Sequence, residues 1–180
     1  MKIEGSYNIN APRPLVWNLL IDPDILSRCV PGVQSLECVG EGSYKIALKT
    51  GVGTIRGVYT GAIRLEDLRE PEHYKMTVDG KGAPGFLKGV GELELTETDE
   101  GTAVSYTGDV SVGGTIAAVG QRLIVSTAKM MTGQFFIALE AEAKAIIDAE
   151  EKGEPVITPK QGFFRNTFRA ASKAIRETLD

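Results

Sequence analysis

The sequence predicts an α+β fold: a curved, seven-stranded antiparallel sheet around one long C-terminal helix, with an apolar cavity between them. Two observations carry this. Six strand-like runs follow one another between residues 33 and 112, joined by short Gly-, Pro- or acid-containing links that suit antiparallel hairpins. After them, residues 114–151 contain no proline and only two internal glycines, and read as one helix. One face of such a sheet must be covered, and this helix is the only element large enough to cover it.

Each element has a local reason. "KIEGSYNI" (2–9) is a first strand ended by the prolines that follow. Asn10 can cap the next segment, where Pro12 and Pro14 suit a first helical turn because their missing N–H groups have no helical partner there. Leu15, Trp17, Leu19 and Leu20 then give that helix a core face. Asp22-Pro23 restarts the chain as a second short helix, which Pro31-Gly32 ends. The strands are "VQSLECV", "SYKIALKT", "TIRGVYTGAIRLEDL", "HYKMTVDG", "GFLKGVGELELTE" and "TAVSYTGDVSV".

In a meander the turns alternate between the two ends of the sheet. One set, at 40–42, 69–72 and 98–101, is charged. The other, at 50–54, 80–87 and 112–114, is glycine-rich and carries Phe86 and Leu87, which suits the flexible, partly apolar mouth of a ligand cavity. On the long helix, Ile116, Leu123, Thr127, Met130, Ile137 and Ala141 share one face at helical spacing, which is expected to look into the cavity. Met130 and Met131 would give it an adaptable lining. Val125, Phe136 and Leu139 form a second apolar group on the back of this helix, which either packs under the short helices or marks a protein contact. The expected cavity residues are therefore Trp17, Phe86, Leu87, Ile116, Leu123, Met130 and Met131.

Catalytic and metal chemistry is hard to assemble from this chain. His73, the only histidine, lies at a hairpin exit and reads as solvent-exposed. Cys29 and Cys38 have no zinc-type spacing and read as reduced, half-buried thiols. "GVGTIRG" and "GVGEL" lead into strands, whereas a dinucleotide-binding turn must open a helix. Glu92, Glu94 and Glu97 alternate with leucines as a solvated strand face should. No catalytic residue, metal or cofactor is expected. "MKIEGSYNI" has neither an apolar segment nor a cleavage pattern, so no signal peptide is expected, and no apolar run reaches the roughly 18 residues needed to span a bilayer.

The charge is unevenly spread. Residues 160–180 carry five cations and two anions, a net +3, so residues 1–159 hold −7 of a chain total of −4. The domain plan is a body at 1–150, a linker at 151–162 and a tail helix at 163–180. On a helical wheel Phe164, Phe168, Ala171, Ile175 and Leu179 form one stripe, with Arg165, Arg169, Lys173 and Arg176 beside it. Such a basic amphipathic helix suits an anionic membrane interface, through Phe163, Phe164, Phe168, Ile175 and the four cations. It also suits a groove on a partner protein, or the chain's own body. Nucleic acid is not expected, because an acidic body repels it.

The segments "APRPLVWNLLIDPDILSRCVPGVQSLE" and "GTIRGVYTGAIRLED", with "GQRLI" and Phe135-Phe136 on the final helix, resemble the carbon monoxide dehydrogenase CoxG family, over roughly residues 1–148. The run Asp22-Pro23-Asp24 to Cys29-Val30-Pro31-Gly32 is the most specific part. The family is a branch of the START-related (SRPBCC) helix-grip superfamily. The resemblance implies a helix-grip fold around an apolar cavity, no catalytic centre, and a molybdenum hydroxylase of the carbon monoxide dehydrogenase type as partner, recruited to the membrane. The expected ligand is a quinone or lipid, and the expected location is cytoplasmic, peripheral on the inner face of the cell membrane. Two alternatives stay open: an assembly or recruitment factor without a ligand, and a cyclase-like enzyme on the same scaffold.

Overall fold

The first strand of the chain ends up beside the last. In the computed structural model, which describes residues 1–155, β1 (Lys2–Ile9) pairs antiparallel with β7 (Gly101–Gly113), placing Tyr7 opposite Val104. Between them in sequence come α1 (Arg13–Ile21), α2 (Pro23–Cys29), β2 (Val33–Gly40), β3 (Ser43–Val52), β4 (Ile55–Arg69), β5 (His73–Gly82) and β6 (Gly85–Thr98). A short 3-10 turn at Thr115–Val119 and the long α3 (Gln121–Glu151) follow. The linker beyond Pro155 and the tail helix expected at 163–180 lie outside the described residues.

The seven strands form one antiparallel sheet, as expected, and their order is β1-β7-β6-β5-β4-β3-β2. Because β1 and β2 are its opposite edges, the α1–α2 connection must cross the width of the sheet at one end. Local chemistry shapes that crossing. The Asp22 carboxylate accepts from the backbone N–H groups of Asp24 (2.9 Å) and Ile25 (3.3 Å), capping α2, with Pro23 in its first turn. Asn10 does not cap α1. Pro12 takes that position, and the Asn10 N–H instead donates to Glu140 Oε1 on α3 at 3.3 Å.

The main core lies where the crossing meets the sheet. Val16, Trp17, Leu19, Leu20 and Ile25 pack with Tyr44, Tyr74, Leu93, Leu95 and Val104 of the sheet and with Phe136, Leu139 and Ala143 of α3. Phe136 stacks on Tyr7 at a centroid distance of 5.3 Å and on Tyr106 at 5.9 Å, which ties α3 to β1 and β7. Each such aromatic pair adds about 0.5–1.5 kcal/mol beyond its buried area.

Two expectations about the helix are corrected. It begins at Gln121, because Gly114 (φ 87°) and Gly120 (φ 90°) adopt left-handed conformations that break the helical path. Ile116 therefore belongs to the 3-10 turn and not to a stripe on α3. The inward face is also the other one. Ile124, Phe136, Leu139 and Ala143 are buried, while Leu123, Met130 and Ile137 are 42%, 57% and 62% exposed. The helix carries apolar side chains on both sides, and the aromatic contacts at Phe136 decide which side turns inward.

His73 is buried as well, not exposed. The β4–β5 register shifts between Glu66 and Arg69, and Asp67 Oδ2 lies 3.4 Å from His73 Nε2, with Glu94 Oε1 3.9 Å from Nδ1. A bulge at the end of a strand re-aims side chains in this way.

Candidate functional site

Alternation and register define the inner face of the sheet. Side chains sharing a face with the buried Tyr44, Leu65, Tyr74, Leu93 and Val104 point toward the helices. At the α1–α2 end these residues form the main core. At the glycine-rich end Val52, Tyr59, Ile116 and Ile124 form a second, separate cluster.

Between the two clusters the inner face is incompletely filled. Ile46 and Leu48 on β3, Val78 on β5, Leu87 on β6 and Val110 on β7 point inward but are only half-buried, and they belong to neither cluster. Two cross-strand glycine pairs, Gly61 with Gly80 and Gly91 with Gly108, occupy inward positions in the same band and contribute no side chain. Facing them, the first half of α3 offers Ala128, Met131 and Thr132, all half-buried. The Thr50 hydroxyl donates to Met131 Sδ at 3.6 Å, which places Met131 beside β3. The Thr132 hydroxyl satisfies itself on the Ala128 carbonyl at 2.8 Å. The lining is thus apolar, with its few hydroxyls spent internally.

Each cluster holds an aromatic side chain with an unspent polar atom. The Tyr59 hydroxyl and the Trp17 indole N–H are buried and have no hydrogen-bond partner among the described residues. Burial raises the Tyr59 pKa, so the phenol stays protonated and able to donate. Tyr59 was missed in the sequence. Its signal was the alternation of "GVYTGAIRL", which sets Tyr59, Gly61, Ile63 and Leu65 on one face.

The residues expected to line the cavity divide into three groups. Leu87 and Met131 lie on the inward faces bounding the band, and Ile116 lies in the second cluster at its end. Trp17 is 1% exposed, within the main core, its ring edge-on to Tyr74 at 5.7 Å. Met130 and Phe86 point outward, Met130 on the outer side of α3 and Phe86 on the convex face of the sheet against Gly113, whereas Leu123, 42% exposed, lies against Gly53 in the β3–β4 turn. The eight residues expected to meet a membrane, Phe163 through Arg176, lie outside the described residues.

Two of the three glycine-rich turns, at 80–87 and 112–114, are held more firmly than the flexible rim expected. Pro84 is buried against Gly57, and its carbonyl accepts from the Ile116 N–H at 2.9 Å. The β5–β6 turn and the 3-10 turn are thereby pinned together over the second cluster. Among the described residues no group of three His, Cys, Asp or Glu side chains is placed to hold a metal ion, and no helix is long and apolar enough to cross a membrane.

Solved structures share this architecture. A conserved protein from Geobacillus kaustophilus is 39% identical, with a TM-score of 0.77 over 80% of this chain and 95% of that one. A START superfamily protein from Mycobacterium smegmatis (11% identity, TM-score 0.61, covering 79% of this chain and 97% of that one) has the same fold. So has the Zhui aromatase/cyclase from Streptomyces sp. R1128 (17% identity, TM-score 0.60, covering 82% and 95%). A search of curated proteins returns no match. The family model for CoxG, a carbon monoxide dehydrogenase subunit, matches residues 5–144. With that match over most of its length, and with the START-like helix-grip fold, this chain belongs to the CoxG family.

Proposed function

We propose that this protein is a non-catalytic accessory protein of a molybdenum hydroxylase of the carbon monoxide dehydrogenase type. It carries a lipophilic ligand, a quinone or a lipid, between the sheet and α3, and docks the enzyme at the membrane through its C-terminal tail. The family supports the accessory role and the partner. The observation that carries the ligand is the half-buried band of Ile46, Leu48, Val78, Leu87 and Val110 beneath α3. Each apolar side chain left partly wet forgoes part of the roughly 1.5–3 kcal/mol that full burial provides, so an apolar guest gains by covering several at once. A cytosolic oxidase must pass electrons to a lipophilic acceptor in the membrane, and a small carrier with an apolar interior meets that need.

Native mass spectrometry of protein gently purified from its own host tests the reading. The expected result is an added mass, extractable into organic solvent, in the range of a quinone or lipid. An unmodified mass, with no uptake of offered quinone or phospholipid, overturns the carrier and leaves recruitment alone.

A further inference from the structure

A second concavity lies at the charged end of the molecule, away from the ligand band. It runs between the start of α1, the β6–β7 turn and the last three turns of α3. Pro12 and Ile147 give it an apolar part, and its acidic groups outnumber its cations by four to two. Within it Arg13 is answered by Glu97 at 3.6 Å, and Glu140 accepts from Tyr7 and Asn10. Asp148 and Glu151 form no ion pair among the described residues. They stand at the carboxyl end of α3, whose last turn holds no basic residue, with Lys152 as the C-cap and Lys144 lining the groove one turn before Asp148 as the nearest cations. The helix dipole already places partial negative charge there, so these carboxylates raise an unfavourable field that a cation would relieve.

The chain itself brings cations to this place. Glu151 both lines the groove and ends α3, and the segment of net charge +3, residues 160–180, begins nine residues further on. The twelve residues 152–163 can span up to about 40 Å, so reach imposes no barrier. Tethering also gives the tail an effective concentration of order millimolar at the groove.

We propose that this groove is a docking site for the chain's own C-terminal segment, residues 160–180. Arg165, Arg169 and Lys173 meet Asp148 and Glu151, and Phe164 or Phe168 covers Ile147. Docking in cis withholds the same cations from an anionic surface. The membrane reading above then becomes a competition between groove and bilayer, but the docking itself does not rest on that reading.

The test uses the full chain carrying Asp148→Asn with Glu151→Gln, and a control of equal charge change, Glu37→Gln with Glu41→Gln, on β2 and the β2–β3 turn. Limited trypsinolysis, followed by mass spectrometry, reads cleavage at Arg165, Arg169 and Lys173. Removing two pairing carboxylates is expected to speed tail cleavage about five- to tenfold, with the control at the wild-type rate. Equal rates in all three proteins overturn the proposal. Co-sedimentation with vesicles of equal parts phosphatidylcholine and phosphatidylglycerol separates the two readings. Tighter binding by the groove variant than by the control supports both. Faster cleavage without vesicle binding by any variant keeps the docking and sinks membrane attachment.

Discussion

Arg28 and Glu142 join α2 to α3 through a two-pronged ion pair, with Nε 2.8 Å from Oε1 and Nη2 2.9 Å from Oε2. It fastens the helical crossing to the helix that covers the sheet. The Arg28 hydrogen bond holds the Glu142 carboxyl below its ordinary value of 4.5. A depressed carboxylate contributes stability that is complete above the unfolded-state pKa and is lost as pH falls through the folded one. Arg28 is half-exposed, so solvent screening limits the pair to about 0.5–1 kcal/mol. Glu142→Gln should therefore lower Tm by roughly 1–4 °C at neutral pH. Thermal melts repeated well below pH 4.5 should show the gap closing, and a constant gap would refute the assignment.

The choice of inward face on α3 makes a sharp prediction. Phe136→Ala removes a ring buried between Tyr7 and Tyr106 and should cost about 3–5 kcal/mol. Ile137→Ala, one residue on and 62% exposed, should stay within about 0.5 kcal/mol. Urea unfolding of the two variants measures the contrast.

Cys29 is buried, and desolvation pushes its thiol up to about 11, whereas Cys38 is exposed. Only thiolate reacts readily. A maleimide added to the native protein at neutral pH should label Cys38 and spare Cys29, and both should label after unfolding. Peptide mapping distinguishes the sites.

Adjacent methionines should differ in ligand uptake. Met131 faces β3 beside the half-buried band, and Met130 is 57% exposed. Met131→Glu places a carboxylate where it would be desolvated and should weaken uptake of a short-chain quinone at least about tenfold. Met130→Glu should stay within about twofold. A titration following quenching of intrinsic fluorescence reads both, and equal effects would move the site elsewhere.

Tyr59→Phe removes a buried hydroxyl that has no partner among the described residues. Such a group costs about 1–3 kcal/mol unpaired, so the ligand-free variant should melt about 2–4 °C or more above wild type. A lower Tm would show that the hydroxyl is satisfied in solution.

Much of this molecule was legible along the chain. Strand alternation, the Asp22-Pro23 restart and the proline-free final segment are local signals, and the sheet and helix they imply are those observed. The family motifs around residues 11–37 led to the CoxG assignment that the match over residues 5–144 supports. The candidate site was legible only in part. Leu87 and Met131 could be picked from pattern, but Met130, Leu123 and Phe86 could not be separated from them. A strand or helix wheel says which side chains lie together, not which group faces a neighbour.

Those choices rest on contacts between distant residues. Phe136 turns α3 by stacking on Tyr7 and Tyr106, which lie far from it along the chain. The bulge near Asp67 buries His73, and the Pro84–Ile116 bond closes the glycine-rich end. Periodicity is a property of neighbours in sequence and so specifies the elements. Facing, burial and the unfilled band beneath α3 depend on which surfaces meet, and packing settles that only once the whole sheet is assembled.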